Sequence, residues 1–182
     1  MGGLKYMSPN HYKVVAKAPD ELLVRGKYFE IAVGKIILDA EVLTDSYSET
    51  VEHYALFEVV YSNLWDHIIS ANSRDPLLID SKGFQNSASS LLSDAVIHKA
   101  KGLKKGTELP SVADEIQGQA RSAGWIAFPR LKKSVVPHRL IFQHQIFEPG
   151  QTSGYVQDSE TLELIFDLSL YGRLIGDGKK SC

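Results

Sequence analysis

The fold class of this chain depends on residues 46–69, which read SYSETVEHYALFEVVYSNLWDHII. Apolar residues recur in this stretch at helical spacing, and Leu56, Val60 and Leu64 form one row. A serine and a glutamate at its start are three residues apart, which is the spacing of a helix capping box. The acidic residues near that start would be favoured by the helix dipole. The stretch therefore predicts one long α-helix.

Alternating polarity predicts β-strands on both sides of this helix. Residues 27–33 (KYFEIAV), 138–147 (HRLIFQHQIF) and 161–171 (TLELIFDLSLY) alternate between apolar and polar side chains, and residues 125–128 form a short apolar run. One apolar and one polar face is typical of an antiparallel sheet. His144 lies on the apolar face of its strand, where a core histidine with its hydrogen bonds satisfied is expected more often than a ligand.

The order of these elements predicts an α+β fold, in which an antiparallel sheet packs against one long helix. A length of 182 residues suits a single compact domain. We predict an N-terminal arm over residues 1–20, an α+β domain over residues 21–175 and a C-terminal tail over residues 176–182. Residues 72–90 are predicted to be a polar loop in which Phe84 is an isolated apolar residue.

Composition and motifs argue against several classes of protein. The chain is 43% hydrophobic and 23% charged, which is close to globular averages. Its one cysteine, Cys182, cannot form an internal disulfide, and no apolar run reaches the roughly 18 residues of a membrane-spanning helix. The sequence has no P-loop, GxGxxG, HExxH, CxxC or GxSxG motif, and no two of its six histidines are three or four residues apart. We therefore predict a protein that is not an enzyme, with no metal site and no cofactor.

The adjacent pair Asp66 and His67 is the one candidate for acid–base chemistry. On a helix, neighbouring side chains point about 100° apart, so the pair would not act together. A small hydrolase or nuclease that uses this pair is kept as a third alternative.

Charge is distributed unevenly along the chain. Residues 1–96 have a net charge of −5, residues 97–142 of +6 and residues 143–182 of −3, for a total of −2. A basic segment can bind the phosphates of RNA or of lipid headgroups, or it can be an ordinary solvated surface. The cations expected to bind a membrane or a nucleocapsid are Lys99, Lys101, Lys104, Lys105, Arg130, Lys132 and Lys133.

The N-terminal arm is unusually rich in apolar and aromatic residues for a solvated segment. We predict that it docks on a neighbouring copy, and the alternatives are that it packs on its own domain or is disordered. The residues expected to mediate this self-association are Leu4, Tyr6, Met7, Pro9 and Tyr12.

Three segments resemble the matrix proteins of rhabdoviruses. Residues 28–69 combine an aromatic-rich strand, a turn and a predicted helix that ends in Leu-Trp-Asp-His. Residues 124–130 (GWIAFPR) are similar to a glycine–aromatic–proline–basic segment of that family, and residues 161–168 (TLELIFDL) to its late alternating strand. The animal-virus members have a lysine-rich N-terminal tail with a PPxY budding motif. This chain has neither, so it looks more like a plant-infecting member.

The resemblance implies a structural protein that is not an enzyme. Such a protein self-associates into a helical array, bridges the helical nucleocapsid to the lipid envelope and condenses the nucleocapsid during assembly and budding. Its implied partners are further copies of itself, the viral nucleoprotein–RNA complex, anionic membranes and the tail of the envelope glycoprotein, with no small-molecule substrate. Its implied location is the virion beneath the envelope, the host cytoplasm and host membranes.

An alternative reading of the same residues is a monomeric RNA-binding protein. It would use the basic residues 99–133, with Trp125 and Phe128 as stacking platforms for bases.

Overall fold

The computed structural model describes residues 5–8, 11–17, 23–25, 29–45, 50–71, 76–89, 94–147 and 160–168. In these ranges the chain forms thirteen β-strands and no helix. The predicted α+β fold is therefore wrong, and the described chain is all-β. The strands are β1 (Lys5–Ser8), β2 (His11–Lys17), β3 (Leu23–Arg25), β4 (Phe29–Asp45), β5 (Thr50–Asn63), β6 (Ile68–Ser70), β7 (Leu77–Asp80), β8 (Gln85–Ser87), β9 (Val96–Ala100), β10 (Glu115–Ile116), β11 (Arg121–Pro129), β12 (Pro137–Phe147) and β13 (Glu160–Asp167).

The strands form two sheets. The eight-stranded sheet has the order β1-β2-β13-β12-β6-β10, and β7 pairs with β12 on one side and with β8 on the other. The five-stranded sheet has the order β11-β5-β4-β3, and β9 pairs with the second half of β4. Among these pairings β13–β2 is parallel, and the others are antiparallel.

The two sheets pack face to face as a β-sandwich around a main core. β4 and β5 contribute every second residue to this core, and β12 and β13 do the same from the opposite sheet, as expected for strands with one buried face. The largest contributors are Phe29, Ile31, Phe57, Tyr61, Phe128, Leu140, Phe142, Leu162, Leu164 and Phe166.

A second core covers the outer face of the five-stranded sheet. Leu56 and Trp125 point away from the main core. They pack with Ile97 of β9 and with Leu109, which lies in the segment after β9. Both faces of β5 are therefore buried at residues 54–57, where Tyr54 is 9% exposed and the other three residues are inaccessible to solvent.

The stretch predicted to be a long helix is the strand β5. It lies between β4 and β11, with paired positions from Tyr54 to Ser62 on the β11 side. A spacing of four residues returns to the same face in a strand as well as in a helix, so the row at 56, 60 and 64 suits both structures. The burial of both faces also hides the two-residue alternation by which a strand is usually recognised. The capping-box residues at 46–49 lie outside the described residues.

The predicted strands are confirmed within the described ranges. Residues 29–33, 121–129, 137–147 and 160–167 are all extended, and β12 and β13 form the antiparallel pair expected from their alternation. The polar stretch predicted to be a loop contains β7 and β8, so that prediction is wrong for these residues. β1 and β2, which fall in the predicted arm, pair within the eight-stranded sheet. The predicted tail at 176–182 lies outside the described residues.

Candidate functional site

The first group of predicted cations lies at the tip of an irregular hairpin. The backbone N–H of Ile97 donates to the carbonyl of Thr107 (2.9 Å), and that of Leu109 donates to Ala95 (3.0 Å), so residues 95–109 fold back on themselves. Gly102 and another glycine at 106 have positive φ angles of 90° and 85°, which the tight turns at the tip require. Four exposed side chains at this tip, the hairpin lysines, are Lys99, Lys101, Lys104 and Lys105.

The second group lies on the loop between β11 and β12. Three exposed side chains there, the loop cations, are Arg130, Lys132 and Lys133. Arg130 Nη1 is 3.7 Å from Asp39 Oδ1 and 3.3 Å from His53 Nδ1, so a neighbouring carboxylate partly compensates its charge. In the described part of the chain, none of the six lysines in the two groups forms an ion pair.

The sheet brings one cation of each group, Lys99 and Arg130, into one row across its strands. Lys99 of β9 lies opposite Glu41 of β4, and Glu41 lies opposite His53 of β5. Arg130 follows β11 directly, at the position that continues this row past His53. Three interstrand spacings amount to about 14 Å, so Lys99 and Arg130 lie at the two ends of a short row of mixed charge.

A groove beside the loop cations includes residues that the sequence did not identify. It has a volume of about 430 Å³ and is lined on one side by Lys82, Phe84 and Asn86, and on the other by Arg130 and Lys132. Phe84 is 68% exposed, the largest exposure among the big apolar side chains of the described residues. The sequence gives Phe84 only as an isolated apolar residue, because the opposite wall of the groove is more than 40 positions away along the chain.

The turn that carries Phe84 is rigidly hydrogen-bonded. Asp80 Oδ1 accepts from the backbone N–H groups of Lys82 (2.9 Å) and Phe84 (3.0 Å), and the Asp80 N–H donates to the Phe84 carbonyl (3.0 Å). The turn is tied to the loop between β11 and β12, because Ser81 N–H donates to the Val136 carbonyl (2.8 Å) and Val136 N–H donates to Ser81 Oγ (3.2 Å). The backbone of Phe84 is therefore held at a fixed place beside the loop cations.

The two aromatic residues predicted to stack on RNA bases are buried. Trp125 is 7% exposed and lies in the second core. Phe128 is fully buried in the main core, edge-on to Phe57 with ring centroids 5.6 Å apart. That part of the RNA-binding alternative is wrong, because neither ring can reach a nucleic acid.

Asp66 and His67 are in contact, contrary to the expectation from a helix. His67 Nδ1 lies 2.7 Å from Asp66 Oδ1 on the turn between β5 and β6, and this hydrogen bond lowers the pKa of the Asp66 carboxyl. Asp66 is 84% exposed, and the His67 ring lies 5.6 Å from that of Trp65. The contact is thus a hydrogen bond at the surface, on a turn.

The buried side chain of Asn63 organises this turn. Its Nδ2 donates to the carbonyls of His67 (2.8 Å), Ile116 (3.0 Å) and Gln117 (3.1 Å). Its Oδ1 accepts from the backbone N–H of Trp65 (3.0 Å). One amide therefore joins the turn after β5 to the end of β10.

His144 is buried in the main core, as the sequence predicts. Its Nε2 lies 2.9 Å from the hydroxyl of Tyr61, but its Nδ1 has no hydrogen-bond partner among the described residues. Burial lowers the pKa of His144 to about 4, and the nearby backbone of Ser70 acts in the opposite direction. Burial also raises the pKa of the Tyr61 hydroxyl. The imidazole is therefore neutral at pH 7, and only one of its two ring nitrogens has a hydrogen-bond partner among the described residues.

The residues predicted to mediate self-association lie at the edge of the eight-stranded sheet. Tyr6 and Met7 belong to β1 and Tyr12 to β2, and Tyr6 is paired with Tyr12. Leu4 and Pro9 lie outside the described residues. β2 pairs in turn with β13 of the same chain. This pairing agrees with the alternative that the segment packs on its own domain. Docking on a second copy stays a prediction.

Neither a metal site nor a spanning helix is found in the described ranges. They contain no group of three or more His, Cys, Asp or Glu side chains placed to hold a metal ion. They also contain no helix long and apolar enough to cross a membrane.

Comparisons with known proteins give similarity of fold only. No family model matches the sequence, and no curated protein matches it. The chain is similar to the crystal structure of the yjhA protein from Bacillus subtilis (14% identity, TM-score 0.42, 80% of this chain and 96% of that chain). It is also similar to an uncharacterized β-sandwich protein from Clostridium difficile 630 (11% identity, TM-score 0.39, 86% of this chain and 95% of that chain). These identities are too low to transfer a function.

Proposed function

We propose that this β-sandwich is a structural protein that is not an enzyme and that attaches to anionic membrane surfaces through the hairpin lysines and the loop cations. The observation that carries the proposal is the row across the five-stranded sheet that has one cation of each group at its ends, Lys99 and Arg130. A flat membrane that contacts this row can reach both cations at once, because they lie about 14 Å apart.

The charges are sufficient for reversible attachment. A lysine near an anionic bilayer contributes about 1 kcal/mol, so six unpaired lysines support binding that weakens as salt screens the surface. Attachment by one copy would be easily reversed. Association of several copies would strengthen it by avidity, which is the role predicted for the N-terminal residues.

The wider role depends on the resemblance to rhabdovirus matrix proteins. Bridging of the nucleocapsid to the envelope, with nucleoprotein–RNA and the glycoprotein tail as partners, stays a prediction. The strand-to-helix part of that resemblance no longer supports it, because residues 50–63 form β5. The exposed cations of the hairpin and of the loop support membrane attachment without reference to any family.

The proposal is tested by sedimentation of the full chain with vesicles of phosphatidylcholine and phosphatidylserine. We expect Lys104→Glu/Lys105→Glu and Lys132→Glu/Lys133→Glu each to release most of the bound protein at low salt. The matched control is Lys35→Glu/Arg121→Glu, which changes the net charge equally at exposed positions outside both groups. If all three variants lose binding equally, or if none does, attachment by these cations is excluded.

A further inference from the structure

Phe84 is an aromatic residue that the fold holds in solvent. A large apolar side chain left 68% exposed forgoes the stabilisation it would gain from burial. Flexibility does not account for this exposure, because the hydrogen bonds of Asp80 fix the turn on both sides of the ring. An exposed aromatic ring on a rigid support is typical of a binding surface.

The surroundings of Phe84 determine what it could bind. The groove is concave and its size falls within the usual range for sites that bind small molecules or single residues of a polymer. Leu131 and Val135 add apolar lining, while Lys82 and Lys132 supply positive charge. Asn86, which is half-buried, places an amide in the same lining.

We propose that this groove binds one nucleotide of a single-stranded nucleic acid. The base stacks on the ring of Phe84, and the flanking phosphates bind Lys82 and Lys132. The Nδ2 of Asn86 donates to the carbonyls of Leu78 and Phe84 (both 3.3 Å), so this amide offers its Oδ1 as an acceptor to the edge of the base. Arg130 contributes less charge than the lysines, because Asp39 lies 3.7 Å from it.

A nucleotide fits this groove better than a lipid chain. An aromatic residue that anchors a protein in a bilayer has to protrude among apolar neighbours, whereas Phe84 lines a concavity together with charged and amide side chains. Alternation of a planar ring with cations is the pattern that proteins use for single strands. This nucleotide site is distinct from the membrane-binding cations and shares only Arg130 and Lys132 with them. Substitutions of Phe84 and Lys82 therefore test nucleotide binding separately from membrane attachment.

The experiment measures the binding of a fluorescein-labelled 15-residue oligouridine to the full chain by fluorescence anisotropy. We expect Phe84→Leu, which keeps an apolar side chain but removes the stacking surface, to weaken binding by about tenfold. Phe84→Trp should bind as tightly as the wild type. Lys82→Gln should weaken binding and reduce the salt dependence of log Kd by about 0.7, the effect of one lost phosphate contact.

Leu64→Ala is the matched control. Leu64 is 49% exposed and lies at the far end of β5, roughly 30 Å from the groove, so this change should leave affinity unaltered. Binding of Phe84→Leu within twofold of the wild type would overturn the proposal, as would equal affinity for a duplex RNA of the same length. Loss of vesicle binding by Phe84→Leu with oligouridine binding intact would also overturn it, in favour of lipid insertion.

Discussion

The hydroxyl of Tyr61 and Nε2 of His144 lie 2.9 Å apart and join the two sheets of the sandwich at its centre. Tyr61 belongs to β5 of the five-stranded sheet and His144 to β12 of the eight-stranded sheet. Both residues are at most 1% exposed, so this hydrogen bond is a polar contact within an otherwise apolar main core.

The burial of His144 predicts a loss of stability in mild acid. Its pKa in the folded state is about 4, below the 6.5 of a free histidine, so the unfolded chain takes up a proton first as the pH falls. The free energy of unfolding should therefore fall between pH 6.5 and pH 4, by about 3 kcal/mol from this group. Urea unfolding of the wild type and of His144→Gln, which has no titrating ring, measures this contribution. The stability advantage of the wild type should shrink as the pH falls, and a constant difference would contradict the prediction.

Removal of the Tyr61 hydroxyl should destabilise the protein more than expected for the loss of a single oxygen atom. Tyr61→Phe leaves both ring nitrogens of His144 unpaired in the core, which costs about 1–3 kcal/mol. The matched control is Tyr54→Phe, which removes a hydroxyl that donates to Glu52 at a partly exposed site and should cost less. Equal losses from the two variants in urea unfolding would show that the central hydrogen bond adds nothing.

The amide of Asn63 should not tolerate replacement by a carboxylate of the same shape. Asn63→Asp keeps the acceptor for Trp65 but turns a negatively charged oxygen toward three backbone carbonyls. We expect a loss of about 3 kcal/mol or more at pH 7, recovered in part when the carboxyl is protonated. Asn86→Asp is the control, because that amide makes only two long bonds of 3.3 Å at a less buried position. A similar small effect at both positions would contradict the role given to Asn63.

Two glycines in the strands on either side of β5 should respond differently to alanine. A Cβ at Gly124 would meet the backbone of Ser111 and Val112, which cannot move aside, so Gly124→Ala should cost about 3 kcal/mol. A Cβ at Gly34 would meet only the carboxylate end of Glu58, a flexible group, so Gly34→Ala should be nearly neutral. Thermal unfolding of the two variants tests this contrast, and similar melting temperatures would contradict it.

The sequence predicts β12 and β13 of the eight-stranded sheet and parts of β4 and β11 of the five-stranded sheet, but not β5. β12 and β13 have one buried face, so their apolar residues alternate visibly, and Leu164 and Phe142 lie where the pattern places them. β5 is buried on both faces at residues 54–57, because the segment containing Ile97 and Leu109 covers its outer side. The sequence of β5 itself does not show that a segment elsewhere in the chain buries its outer face. Its many aromatic and β-branched residues were the available signal for a strand.

The candidate site, too, could be predicted from the sequence only in part. Glycines and lysines near residue 104 indicate an exposed turn, and the hairpin lysines are exposed as expected. The groove at Phe84 depends on the contact between Ser81 and Val136, which are 55 positions apart. This contact results from the pairing of β7 with β12, and no local sequence pattern predicts that pairing.

The parallel pairing of β2 with β13 has a consequence for how the chain matures. His11 lies opposite Thr161, so a ribosome must add 150 more residues before the first strand of this pair can meet the second. During that interval one edge of β2 is open, and an open edge can pair with other extended chains. Closure of such distant partners is slow, so we expect this pairing to form late in folding.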